Sequence, residues 1–145
     1  MKPSFSKLAL ALVSAAVITL SGCGGGSSPS SSGGDPPVEA ASFTGTAAAG
    51  LPLVGRVTVK DATGATKEVT IGDNGSYTVD VTGMTAPFMF RAEGTAGGTT
   101  YVLHSGATAA DLNGNINITP LTALVIANVS GQLAANYFAG GNFSS

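Results

Sequence analysis

The sequence is sparing with the residues that most often carry chemistry: one cysteine, one histidine, no tryptophan, and only 10% charged residues. A lone cysteine, Cys23, rules out an intrachain disulfide and a thiolate metal cluster, and a lone histidine, His104, leaves no zinc-ligand pattern. Without tryptophan, and with few other aromatics, core burial is a better expectation for the rings than a sugar-stacking platform. A membrane-spanning run is missing too. The apolar segment at residues 8–20 is shorter than the ~20 residues that a spanning helix needs.

That segment has another use. Lys2 and Lys7 make a short basic start, and the following LALALVSAAVITL lies within the ~7 to 15 apolar residues of an export signal. It closes on Leu20-Ser21-Gly22-Cys23. Small side chains at Ser21 and Gly22 let a signal peptidase take an extended backbone, and the sulfur of Cys23 is a nucleophile able to accept a lipid. These residues resemble the lipobox of a bacterial lipoprotein precursor. The resemblance implies removal of residues 1–22 by cleavage between Gly22 and Cys23, a diacylglycerol thioether on Cys23, and acylation (palmitate) of its freed amine. Several acyl chains, at ~0.8 kcal/mol per buried methylene, hold a protein on a bilayer far longer than one chain does. The lipid would use up the only thiol, so no cysteine nucleophile is expected, and no cofactor besides the covalent lipid. Gly24, where an aspartate would signal retention at the inner membrane, points by the same resemblance to the outer membrane of the bacterial envelope.

Residues 23–42 comprise this cysteine and a Gly/Ser/Pro-rich stretch with too little apolar surface to offset its ordering entropy. It reads as a flexible tether with a root-mean-square span on the order of 25 Å. Residues 43–145 remain for folding, enough for one domain burying roughly 60 to 70% of its chain surface. Once Lys2 and Lys7 are removed, Arg56, Lys60, Lys67 and Arg91 face eight acidic side chains, a net of about −4. So acidic and charge-poor a surface argues against nucleic acid as a partner.

From residue 43 to about 105, short runs alternate apolar and polar residues between turn signals, as in an antiparallel β-sandwich. Val57 and Val59 share one face, with Arg56, Thr58 and Lys60 on the other. A turn is expected at Asp61-Ala62-Thr63-Gly64, then a more polar strand up to Ile71. Asn74-Gly75 tolerates positive φ and is expected to close a hairpin, returning Tyr77, Val79 and Val81 inward. After Pro87 comes Phe88-Met89-Phe90-Arg91-Ala92-Glu93, with a turn expected over residues 94–98. Phe43, Tyr77, Phe88 and Phe90 are the expected heavy members of the core.

The run Gly55-Arg56-Val57-Thr58-Val59-Lys60-Asp61-Ala62-Thr63-Gly64, followed by Asp73-Asn74-Gly75-Ser76-Tyr77-Thr78-Val79, resembles a carboxypeptidase regulatory-like domain. The resemblance covers residues 44–93. It implies a transthyretin-like (prealbumin-like) sandwich, residues 43–118 here, and no peptidase activity.

Asp111, Asn113 and Asn115 offer oxygen side chains at alternate positions, as at the start of a calcium loop. Ile116 stands where such a loop needs glycine, and no carboxylate follows Asp111, so a turn between two strands explains the residues better. Thr119-Pro120 is a good helix start, and one C-terminal α-helix is expected over residues 119–138, ahead of a disordered tail at 139–145. Its apolar residues Leu121, Leu124, Val125, Ile126, Val129, Leu133, Tyr137 and Phe138 leave no charged face. Such a helix needs cover from the sandwich, from a second copy of the chain, or from further helices. The run Asn117-Ile118-Thr119-Pro120-Leu121-Thr122-Ala123-Leu124 is similar to a junction in longer bacterial lipoproteins, where a helical region follows the sandwich. A truncated or unusually short member, without the larger part, is therefore expected.

Together these readings lead to a membrane-anchored envelope lipoprotein whose β-sandwich is non-enzymatic and serves structural support or partner presentation. The alternative is a carbohydrate or small-ligand receptor using the loops at 61–64, 73–76 and 94–98. An enzyme is the weakest expectation: His104 and Ser105 are neighbours on a strand, which points them to opposite faces, and His104 is expected to be half exposed.

Overall fold

A computed structural model of the protein describes residues 38–140; the export segment, Cys23, most of the tether and residues 141–145 lie outside them. The chain is mainly β. Its elements are β1 (Ser42–Thr46), β2 (Val54–Lys60), β3 (Thr66–Thr70), β4 (Ser76–Asp80), β5 (Phe88–Ala96), β6 (Thr99–Ala107), α1 (Pro120–Ser130) and α2 (Ala134–Gly140), with one 3-10 turn at Ala109–Asp111. All strand pairs are antiparallel, in a two-stranded sheet β1-β4 and a four-stranded sheet β3-β2-β5-β6.

The period-two pattern decides what lies between the sheets. Phe43, Tyr77 and Val79 face Val57, Val59, Phe88, Phe90, Ala92 and Leu103 in a sandwich-like arrangement, and all are buried. Phe43 packs edge-on against Phe88 and Phe90, with ring centroids 5.2 and 5.3 Å apart. Each such pair contributes about 0.5–1.5 kcal/mol beyond its area burial.

Asn74 and Gly75 do form a tight turn, but not a hairpin. Gly75 has φ 82°, Gly75 N–H donates to Gly72 O and Gly72 N–H donates to Ser76 O. The strands on either side belong to different sheets, β3 pairing with β2 and β4 with β1. The turn is thus a corner between the layers. The expected turn at 94–98 is shorter as well, because β5 runs to Ala96 and only Gly97-Gly98 separates it from β6.

The last strand, β6, ends at Ala107, within the 43–118 expected for the sandwich. Residues 113–118 form instead a strap running parallel to β1 along the edge that β4 leaves open. Thr44 N–H donates to Gly114 O, Ile116 N–H to Thr44 O and Ile118 N–H to Thr46 O. The carboxamide oxygens of Asn113 and Asn117 accept from the N–H groups of Ser42 and Thr46. Close approach of the strap requires a glycine in β1: a Cβ on Gly45 would lie 1.9 Å from Ile116 O.

Two short helices replace the single one expected over 119–138. Gly131, at φ 66°, caps α1 in the left-handed conformation, so the chain turns before α2 begins. Ser130-Gly131 is the local signal for that break. Gly140, expected in the tail, still belongs to α2.

Candidate functional site

The four-stranded sheet has a second face. Alternation places Met89 and Arg91 of β5, and His104 and Gly106 of β6, on the side away from the sandwich core. Helices α1 and α2 cover part of that side. Thr119 and Thr122 start α1 with reciprocal side-chain to backbone bonds at 3.2 and 2.9 Å, and Pro120 occupies the first turn. The Thr122 hydroxyl also lies 2.8 Å from the carbonyl oxygen of His104, and Ile126 reaches over Gly106. Phe138 of α2 rests on the His104 ring at 5.8 Å and lies within 6.0 Å of the Lys60 and Arg91 cationic groups. Lys60 Nζ donates to Phe138 O at 3.0 Å, which holds the C-terminal end of α2 to β2.

His104 is therefore not half exposed. It is 3% exposed, and its Nε2 meets no hydrogen-bond partner. Burial, reinforced by Arg91 and opposed by Glu93, holds its pKa below the ordinary histidine value. Ser105 is buried on the other face of the strand, so the two side chains do not meet.

The opposite side of α1 is uncovered. Leu121, Leu124, Val125 and Val129 are 68, 65, 51 and 83% exposed, and Leu133 continues the apolar surface beyond the turn. Asn128 is exposed among them. Residues 120–140 contain no Asp, Glu, Lys, Arg or His. Under the helices, a crevice of about 210 Å³ opens between the start of β5, the end of β6 and α1, with Met89, Ala107 and Ile126 as apolar wall and Thr108, Asp111 and Tyr137 at its sides.

The oxygen groups of the calcium-like stretch do not converge. Asp111 Oδ2 accepts from Thr108 N–H and the Thr108 hydroxyl, both at 2.8 Å, which keeps its carboxyl below the usual carboxylate range. Asn113 is engaged with Ser42, and Asn115 is exposed in the strap. Among the described residues no group of three His, Cys, Asp or Glu side chains could hold a metal ion.

The three loops considered for a ligand do not share one end of the sandwich. Residues 72–76 and the Gly97-Gly98 turn are at the Val54 end of the four-stranded sheet, and the 61–64 turn is at the Lys60 end. Asp61 is structural. Its buried carboxylate accepts from Thr63 N–H and hydroxyl, Ala65 N–H and Thr85 N–H, at 2.7–2.9 Å. Burial pushes its pKa up, and these bonds outweigh that and hold it below the ordinary value.

Comparison with protein-family models, curated proteins and solved structures finds no match to this chain. Among the described residues no helix is long and apolar enough to cross a membrane.

Proposed function

We propose that the chain is a bacterial envelope lipoprotein, anchored through a lipid on Cys23 in the outer membrane, whose transthyretin-like sandwich of the carboxypeptidase regulatory-like kind is a non-enzymatic module that presents a surface to a partner. The observation that carries the presenting role is the uncovered apolar side of α1. Large apolar patches are uncommon on monomeric proteins and mark interaction sites more often than chance allows. The core between the sheets is already complete, so these leucines and valines are not needed to cover it. Burial of His104 under Phe138, facing away from Ser105, supports the non-enzymatic part of the reading. The anchor rests on the order of basic start, apolar segment and Leu20-Ser21-Gly22-Cys23.

Mass spectrometry and membrane fractionation of the full chain in a Gram-negative host test the anchor. The expected result is an N-terminal Cys23 carrying acyl chains and a protein that sediments with outer membranes, with Cys23→Ala moving to the soluble fraction. An unmodified Cys23 in a soluble protein would overturn it. A second reading, capture of a small ligand, is favoured by the crevice beside Asp111 and Tyr137. A thermal-shift screen of sugars and small amines against wild type and Ile126→Trp, which fills the crevice, decides it: a rise in Tm confined to wild type supports capture, and no rise for any compound counts against it.

A further inference from the structure

We infer that α2 is an acid-sensitive latch: protonation of His104 lifts it off the four-stranded sheet about Gly131, while the sandwich stays folded. The latch needs no lipid anchor, and it changes the surface that the module presents.

The imidazole under the latch is buried, and its Nε2 meets no hydrogen-bond partner. A neutral imidazole tolerates this, because the unpartnered nitrogen can be the one that carries no proton. The imidazolium has a donor at both nitrogens, so Nε2–H becomes part of a charged group buried without an acceptor. Water relieves that cost as soon as the ring is uncovered.

The neighbouring charges act in the same direction. On β5, Arg91 stands directly across from His104, with Glu93 on the same face. Lys60 of β2 and Arg91 both place their cationic groups within 6.0 Å of the Phe138 ring that rests on His104. Glu93 is engaged in ion pairs with Arg91 and Arg56. Residues 120–140 bring no charged side chain, and the phenol of Tyr137 is neutral in acid. A proton on His104 thus adds a third cation to a cluster that faces one carboxylate. Burial and Arg91, opposed by Glu93, accordingly hold the His104 pKa below the ordinary value.

The hold on α2 is slight. Ala134 is its one buried residue, and Phe138 is only partly covered. Lys60 Nζ donates to the carbonyl oxygens of Phe138 and Ala139 at 3.0 and 3.3 Å, bonds that water can replace. Gly131, at φ 66°, has nothing within 4 Å of where a Cβ would stand, so the chain is free to turn there. Helix α1 stays in place, because the Thr122 hydroxyl holds His104 O and Ile126 reaches over Gly106. Lifting α2 takes Tyr137 away from the crevice and brings Phe138 and the imidazolium into water. An uncovered histidine takes up its proton near pH 6.5, before the covered one does, so each pH unit below about 6.5 favours the open form up to about tenfold until the covered ring titrates too.

His104 is the only histidine in the chain, so its imidazole NMR resonance reports it alone when the full chain is purified without a histidine tag. Hydrogen exchange of the same sample at about pH 7.5 and about pH 5.5, corrected for intrinsic rates, follows α2. The imidazole should titrate with a midpoint below about 6.5, and the protection of residues 134–140 should fall by about threefold to tenfold at the lower pH while β2 and β5 keep theirs. His104→Gln should hold α2 equally protected at both pH values. Phe138→Ala, which uncovers the ring without altering it, should raise the His104 midpoint to about 6.5. An α2 unprotected at about pH 7.5, an imidazole that titrates while α2 stays protected, an equal fall in His104→Gln or in β2 and β5, or an unchanged midpoint in Phe138→Ala would each overturn the latch. If His104→Gln does not fold, the Phe138→Ala midpoint decides alone.

Discussion

Phe43, Phe88 and Phe90 in the sandwich are at most 2% exposed, whereas Leu121, Leu124 and Val129 in α1 are each well over half exposed. Both regions are rich in apolar side chains, yet the strands sort theirs by alternation into one covered face, while α1 has them on both sides and only one side covered. In the sandwich, hydrophobicity is explained by the fold. In the helical layer it exceeds what the fold uses, and the excess is where a partner is to be sought. Polar groups divide in the same way: Asp61 has four donors on its carboxylate, and His104 under the helices has an unpartnered Nε2.

Substitutions can break or sharpen this contrast, beginning with the sandwich, where the largest effects are expected. Phe43→Ala removes the ring that both Phe88 and Phe90 pack against, and should destabilise the domain by about 3–5 kcal/mol in denaturant unfolding. A loss under about 1 kcal/mol would mean that the core does not depend on this cluster. Asp61→Ala leaves the N–H groups of Thr63, Ala65 and Thr85 without their acceptor. At about 1–3 kcal/mol for a buried donor left unsatisfied, a loss of roughly 3 kcal/mol is expected, since the turn can admit water to some of them.

In the helical layer the expected effects are smaller and depend on pH. His104 has a folded pKa lowered below its unfolded value of about 6.5, so the unfolded chain takes up the proton first on acidification. Stability from this group is complete above about pH 6.5 and declines as the pH falls toward the lowered folded pKa. Asp61 and Asp111, with pKa values lowered from 3.8, act in the same direction only in more acidic solution. Unfolding midpoints at about pH 7.5 and about pH 5.5 should differ for wild type and coincide for His104→Gln. A slope retained in the variant would place its source elsewhere. The smallest effect is expected on the exposed side of α1, where Leu124→Ser should change stability by no more than about 0.5 kcal/mol in the monomer. A loss of 2 kcal/mol there would show that the two regions differ less than their exposure suggests.

The same division explains what could be read from the sequence. Strand faces, the 61–64 turn and the four core aromatics were legible because alternation and turn chemistry are local. The Asn74-Gly75 turn was legible as a turn, but the sheet that each flanking strand joins depends on partners as distant as β1. His104 could not be placed because Phe138, which covers it, lies far along the chain. The strap at 113–118 carries a short strand-like alternation of Asn and Ile, but its partner β1 lies about seventy residues earlier, and Asn113 and Asn117 resemble loop residues until their carboxamide oxygens are seen to satisfy β1. The break at Gly131 had a local signal, outweighed by the apolar periodicity on both sides of it.

That strap also has a mechanical consequence. It runs parallel to β1, so a pull entering at Ser42 and leaving through α1 draws the two segments past each other lengthwise. The bonds joining Ser42, Thr44 and Thr46 to residues 113–118 then share the load at once instead of opening one after another. Force spectroscopy between residues 38 and 140 should find a higher rupture force than in Asn113→Ala/Asn117→Ala, from which two of those bonds are gone. Drawn by its two ends, this small domain is held by a clamp in shear.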